Sequence, residues 1–208
     1  MSDDVFNSSL PQFDEKLKLM VLGDQGVGKT AIIQRYCKGT FSENYISTVG
    51  IDFQNKIVNV KNKKVNLQIW DTAGQEKFRA ISKNYIQSSQ GFLVIYDISK
   101  RISFININNW MEIINQNSKA KFILIGNKKD LEDARQVQTN EGENLGRKFR
   151  CSFFETSAAD GENIEEAFNK FAEEILEENP SGPSTKNEVS EIRKVSLEEI
   201  KPKNKKCC

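Results

Sequence analysis

Gly23-Asp24-Gln25-Gly26-Val27-Gly28-Lys29-Thr30 carries the most specific chemistry in this chain. The spacing is G-x-x-x-x-G-K-[ST]. Glycines let a backbone wrap close to a phosphate, and successive N–H groups with a helix N-terminus supply positive potential. Lys29 is the group to reach β- and γ-phosphates, and the Thr30 hydroxyl suits Mg²⁺. Ala31 continues into the helix. A second constellation is Asp71-Thr72-Ala73-Gly74-Gln75, closing an apolar run. Asp71 is placed to hold Mg²⁺ through water, Gly74 to offer an N–H to a γ-phosphate, and Gln75 to orient an attacking water. A third is Asn127-Lys128-Lys129-Asp130. A carboxylate accepts from both N1–H and the 2-amino group of guanine, a donor pair adenine lacks, so Asp130 selects GTP over ATP. Asn127 braces its loop, and the Lys128 stem lies along the base. In the fourth, Glu155-Thr156-Ser157-Ala158, the Ala158 N–H is placed to meet the guanine carbonyl.

These groups need a sheet edge to hold them. Leu17–Gly23, Gly91–Asp97 and Phe122–Asn127 read as buried strands. Ile51–Val60 and Val65–Trp70 read as an antiparallel hairpin joined by Lys61-Asn62-Lys63-Lys64. Residues 31–37, Ile107/Trp110/Met111/Ile114 and Ile164/Phe168/Phe171/Ala172/Ile175 have helical periodicity. Thr139–Phe149 is a weak helix, since Gly142 and Gly146 lower propensity. The pattern predicts an α/β domain: a six-stranded, mostly parallel sheet with one antiparallel edge hairpin and helices on both faces.

Composition bounds the rest. The chain has 208 residues, 30 Lys+Arg, 29 Asp+Glu and no histidine. Ser-His-Asp hydrolysis and His-ligated zinc are excluded, and a net charge of +1 argues against nucleic-acid binding by bulk charge. Cys37, Cys151, Cys207 and Cys208 form no disulfide framework, which suits a reducing compartment. The acidic start is not a secretory signal, Ser2 excludes myristoylation, and no apolar run matches a membrane span. The expected organisation is a flexible arm over 1–13, one domain over 14–178, and a disordered tail over 179–208 that opens with Asn179-Pro180. Four lysines lie in the last eight residues; without them 26 basic residues face 29 acidic ones.

The four motifs, in order and spacing, resemble the Ras superfamily of small GTPases, and within it the Rab family. The resemblance spans about residues 15–178 and the final cysteines. Tyr45–Phe53, Trp70–Arg79 and Cys207-Cys208 look like Rab rather than Ras, Rho or Arf. It implies a P-loop GTPase fold, a GTP/GDP switch with Mg²⁺, and slow hydrolysis in which Lys29 and Gln75 act at the γ-phosphate. It implies contacts to nucleotide from Asp24, Gln25, Gly26, Val27, Gly28, Lys29, Thr30, Ala31, Phe41, Tyr45, Thr48, Gly74, Asn127, Lys128, Asp130, Ser157 and Ala158. Thr48 would join Thr30 and Asp71 around Mg²⁺, and Phe41 would pack edge-on against guanine. Residues 39–53 and 72–88 would be the switches, and Phe53, Trp70 and Tyr85 the effector-facing aromatics, unless they are plain core. The implied partners are effectors, an exchange factor, a GTPase-activating protein, an escort protein and a GDP-dissociation inhibitor, around a monomeric domain. Cys207 and Cys208 would carry two geranylgeranyl groups, placing the protein on the cytoplasmic face of an intracellular membrane and cycling with cytosol.

Two departures stand out. Gln25 replaces a small residue, so it either crowds the attacking water or faces solvent. Tyr85-Ile86-Gln87-Ser88-Ser89 differs from the usual Rab stretch, which bears on effector and escort binding. Two other classes stay open: a non-hydrolysing module held in the GTP state by Gln25, and a P-loop kinase, against which Asp130 and Thr48 argue.

Overall fold

The structure, a computed structural model, describes residues 12–42, 51–72 and 83–178, without the side chains of Ile51 and Lys83. Tyr45, Thr48, Gly74, Gln75, Cys207 and Cys208 therefore lie outside the described residues.

Six strands form one sheet: β1 (Glu15–Gly23), β2 (Ile51–Val60), β3 (Lys63–Thr72), β4 (Gly91–Asp97), β5 (Lys121–Asn127) and β6 (Phe153–Thr156). Their order is β2-β3-β1-β4-β5-β6. Only β2 and β3 pair antiparallel; every other pair is parallel. Parallel strands need crossovers, and the connections between strands carry α1 (Lys29–Lys38), α2 (Lys83–Gln87), α3 (Arg101–Ile105), α4 (Ile107–Asn117) and α5 (Thr139–Phe149), while α6 (Ile164–Glu178) follows the last strand.

Alternation along each strand makes two cores. Leu17, Leu19 and Val21 of β1, with Leu93 and Ile95 of β4, face α1 and α6, whose Ile32, Ile33, Phe168 and Phe171 are buried against them. Met20 and Leu22, with Phe92, Val94 and Tyr96, face Trp110, Met111 and Ile114 of α4. Tyr36 stacks on Phe168 at 4.0 Å between ring centroids, tying α1 to α6.

The structure adjusts three sequence expectations. The hairpin turn is tighter than the predicted four residues: Lys61 and Asn62 alone close it, both at positive φ, and β3 runs on to Thr72. Two consecutive positive φ values match the twist of paired strands. The weak helix is well formed over Thr139–Phe149, because its glycines are interior contacts. A Cβ at Gly142 would meet Phe153 at 2.3 Å and the Tyr96 hydroxyl at 2.6 Å. Finally, α3 and the 3-10 turn Lys129–Ala134 carried no periodic signal, being too short for one.

The strand order reverses at β1, which has β3 on one side and β4 on the other. Ligands of open α/β sheets bind at the carboxyl ends of strands beside such a point. Gly23, Asp71, Asp97, Asn127 and Thr156 all end strands or stand next to their ends on that edge.

Candidate functional site

β1 ends at Gly23, and the chain turns through residues 24–28 into α1. Gly28 takes φ 98°, and a Cβ there would lie 2.3 Å from Asn127 Nδ2. Glycine is thus required twice over, by conformation and by the neighbouring loop. Val27 is fully buried beneath the turn and Gln25 is exposed upon it.

Lys29 is buried, and its ammonium donates to the Gly23 and Asp24 carbonyls at 2.9 Å each. The side chain thus folds back over the loop that precedes it. Thr30 Oγ1 donates to Asp71 Oδ2 at 2.6 Å across the sheet edge. Thr72 Oγ1 donates to the Val21 carbonyl at 2.6 Å and locks the end of β3 to β1. A hydroxyl and a carboxylate in direct contact give an all-oxygen donor set. That set fits a hard cation such as Mg²⁺.

The second half of the site stands on β5 and β6. Asn127 is buried; its amide donates to the Val27 carbonyl at 2.8 Å and its Oδ1 accepts from Thr156 Oγ1 at 3.2 Å. One side chain therefore joins three loops. Lys128 takes a left-handed conformation, φ 70°, and its ammonium pairs with the buried Asp97 carboxylate at 2.7 Å. Ser157 Oγ donates to Asp130 Oδ1 at 2.6 Å and fixes that carboxylate beside the Ser157-Ala158 turn. Beneath them, Arg135 grips Glu155 with two bonds, 2.6 and 3.0 Å, both side chains being 7% exposed. Bonds from Glu155 and Glu132 hold the Arg135 guanidinium even above its ordinary range. A bidentate pair this enclosed is geometrically specific.

Sequence reasoning passed over four residues. Asn106 and Trp110, from the α3–α4 junction, both donate to the Asp24 carboxylate, at 2.7 and 3.0 Å. Arg35 of α1 donates to the carbonyls of Ala158, Ala159 and Gly39. Asp97 also accepts from the Ser99 N–H and hydroxyl. Trp110 shows in sequence only as one apolar helix position among others, and Arg35 as a solvated charge. Partners 86 and 123 residues away leave no local signal.

Phe41 is 38% exposed, with the Arg35 guanidinium 5.9 Å from its ring centroid. The three aromatics Phe53, Trp70 and Tyr85 form a cluster, with centroids 5.1 and 5.2 Å apart along the row. Phe53 pairs with Trp70 across β2 and β3 and is 44% exposed, so the cluster reaches the surface. The Lys18 ammonium sits 4.6 Å from the Trp70 ring and bonds Ser88 Oγ. No helix among the described residues is long and apolar enough to cross a membrane.

A family profile described as the Ras family matches residues 18–177. The chain is 45% identical over 166 residues to the Ras-related protein Rab-13 of Rattus norvegicus, covering 79% of this chain and 82% of that protein. It is 44% identical over 170 residues to the Ras-related protein Rab-10 of Diplobatis ommata, covering 81% and 85%. It is 45% identical over 169 residues to the GTP-binding protein yptV2 of Volvox carteri, covering 80% and 78%.

Proposed function

The chain belongs to the Ras family, within it to the Rab small GTPases that bind and hydrolyse GTP, and from that premise we propose how its own residues run the switch. The reading rests chiefly on one observation: the Asn127 amide bonds the Val27 carbonyl at 2.8 Å. The base-side turn and the phosphate loop are thereby joined, which suits a ligand with a base at one end and phosphates at the other. Asp130 accepts from N1–H and the 2-amino group, the Ala158 N–H meets the base carbonyl, and the Lys128 stem covers a face. Ser157 orients Asp130. The loop from Asp24 to Gly28 cradles phosphates with backbone N–H groups.

Thr30 and Thr48, with Asp71 through water, would hold Mg²⁺, which would neutralise charge on the phosphate oxygens. Lys29 exchanges its two backbone carbonyls for β- and γ-phosphate oxygens, so the buried ammonium stays compensated throughout. Gln75 orients the water for in-line attack, and no covalent intermediate forms on the protein. Thr48 and Gly74 contact the γ-phosphate only before hydrolysis, which is how residues 39–53 and 72–88 report the nucleotide.

The readout is vesicle traffic. The Phe53–Trp70–Tyr85 cluster offers effectors an aromatic face, while an exchange factor, an activating protein, an escort protein and a GDP-dissociation inhibitor set the cycle. Cys207 and Cys208 carry two prenyl chains, and Lys201, Lys203, Lys205 and Lys206 favour an anionic leaflet. The test uses the purified full chain. Nucleotide released by denaturation should be GDP or GTP, and phosphate should be released from GTP only with Mg²⁺. Equal turnover of ATP would sink the base-side reading. In cells, Cys207→Ser with Cys208→Ser should move the protein to cytosol; unchanged membrane fractionation would refute the lipid sites.

A further inference from the structure

Arg35 lies one turn before the end of α1, on a helix whose start forms the phosphate loop. Its half-buried side chain leaves α1 and spans the gap to the turn after β6. Nε donates to the Ala158 carbonyl at 2.8 Å and Nη2 to the Ala159 carbonyl. Nη1 returns to the Gly39 carbonyl at 3.1 Å, and the guanidinium faces the Phe41 ring. One planar group thus uses three nitrogens on three carbonyls from two separate loops.

The turn it grips is fixed from the other side as well. The Gly161 N–H donates to the Ser157 carbonyl at 2.8 Å. In a trans peptide the C=O and N–H point in opposite directions. The Ala158 N–H, in the same peptide plane as the Ser157 carbonyl, must therefore face away from Gly161. That bond sets the direction of the N–H but not where the turn stands relative to α1. By bonding the Ala158 and Ala159 carbonyls, Arg35 ties the turn to α1 and sets the position of the N–H.

We infer that Arg35 is a positioning residue for guanine recognition: it aligns the Ala158 N–H on the base carbonyl and steadies Phe41 beside it. The inference rests on the proposed role of Ala158. A lysine cannot substitute, since a single ammonium lacks the fork that meets three fixed carbonyls.

The experiment measures dissociation rates of GDP, 6-thio-GDP and IDP from the full chain, in the parent, Arg35→Lys and Arg35→Gln. The thio analogue keeps N1–H and the 2-amino group but puts a weak sulfur acceptor opposite Ala158. IDP keeps the carbonyl and lacks the 2-amino group, so it reads Asp130 alone. In the parent, 6-thio-GDP should leave faster than GDP by on the order of tenfold, the scale of one hydrogen bond. In both variants that ratio should fall to about twofold or less, while the GDP-to-IDP ratio keeps its parent value. A merely structural arginine would loosen all three nucleotides alike. That outcome, up to complete loss of binding, overturns the inference, as do unchanged ratios in the variants. A parent that fails to distinguish GDP from 6-thio-GDP overturns the role of Ala158 itself, and the inference with it.

Discussion

The indole N–H of Trp110 donates to the Asp24 carboxylate at 3.0 Å, so a helix on one face of the sheet holds the second residue of the phosphate loop. Trp110 is otherwise a core residue, 3% exposed. Trp110→Phe keeps most of the buried ring and deletes the donor. A hydrogen bond to a charged group contributes about 1.5–3 kcal/mol, and this one has Asn106 beside it as a second donor. A loss of about 2 kcal/mol lowers Tm by roughly 4–8 °C in a domain of this size. Combined with Asp24→Ala, the substitution should cost clearly less than the sum of the two, because they break the same contact. Additive melting shifts would reject the coupling.

The Thr30–Asp71 contact predicts a metal-specific defect. Thr30→Ala removes an oxygen donor from the candidate Mg²⁺ site without touching the loop backbone. In the parent, chelating Mg²⁺ should speed nucleotide release. In Thr30→Ala, release with Mg²⁺ present should already be faster by on the order of tenfold, the equivalent of about 1.4 kcal/mol, and chelator should add little. Thr30→Ser keeps the hydroxyl and should behave as the parent does. A chelator response in Thr30→Ala equal to the parent's would place the metal elsewhere.

Gly142→Ala separates propensity from packing by sign. Helix propensity alone makes alanine better by about 1 kcal/mol. A Cβ at 2.3 Å from Phe153 Cζ and 2.6 Å from the Tyr96 hydroxyl instead calls for rearrangement of two packed rings. Overpacking costs typically 1–3 kcal/mol, so the variant should be destabilised by about 1–2 kcal/mol in urea titration. A more stable variant would show that α5 yields freely.

The same glycine shows where a sequence stops being informative. The phosphate-loop, Asp71, Asn127–Asp130 and Ser157-Ala158 motifs stand out in the sequence because each gathers its residues into a few consecutive positions, and the structure brings them to one sheet edge. The sheet is legible because β1, β4 and β5 each carry a run of four or more apolar residues and the longer helices keep their period. What escapes is the wiring between motifs. Nothing near Gly142 announces Phe153, nothing near Arg35 announces Ala158, and nothing near Asp24 announces Trp110. These pairs exist only after the sheet order brings the strand ends together. The tight turn at Lys61-Asn62 escaped for a different reason: neither residue is glycine, and twist of the paired strands imposes the positive φ.

Alkaline pH should unfold this domain earlier than acid chemistry would suggest. Burial pushes the Cys151 thiol from an ordinary 9.0 up to about 11 and raises Cys37 as well. Burial likewise raises the phenols of Tyr36 and Tyr96, with the carboxylate of Glu155 adding to the effect at Tyr96. All four are thus held neutral in the folded state. The unfolded chain ionises at ordinary values, so above about pH 9 it binds fewer protons than the folded one. Stability then falls as pH rises. The contribution is complete below pH 9 and is lost progressively from there through pH 11, with the phenols extending the decline. Urea midpoints should be level near pH 8 and drop steeply by pH 10.5. Cys37→Ala with Cys151→Ala removes the thiol share and should flatten the early part of that drop, leaving the phenol share in place. A midpoint that holds steady to pH 10.5 in the parent, or a slope the double variant leaves unaltered, would show that the thiols ionise freely in the fold.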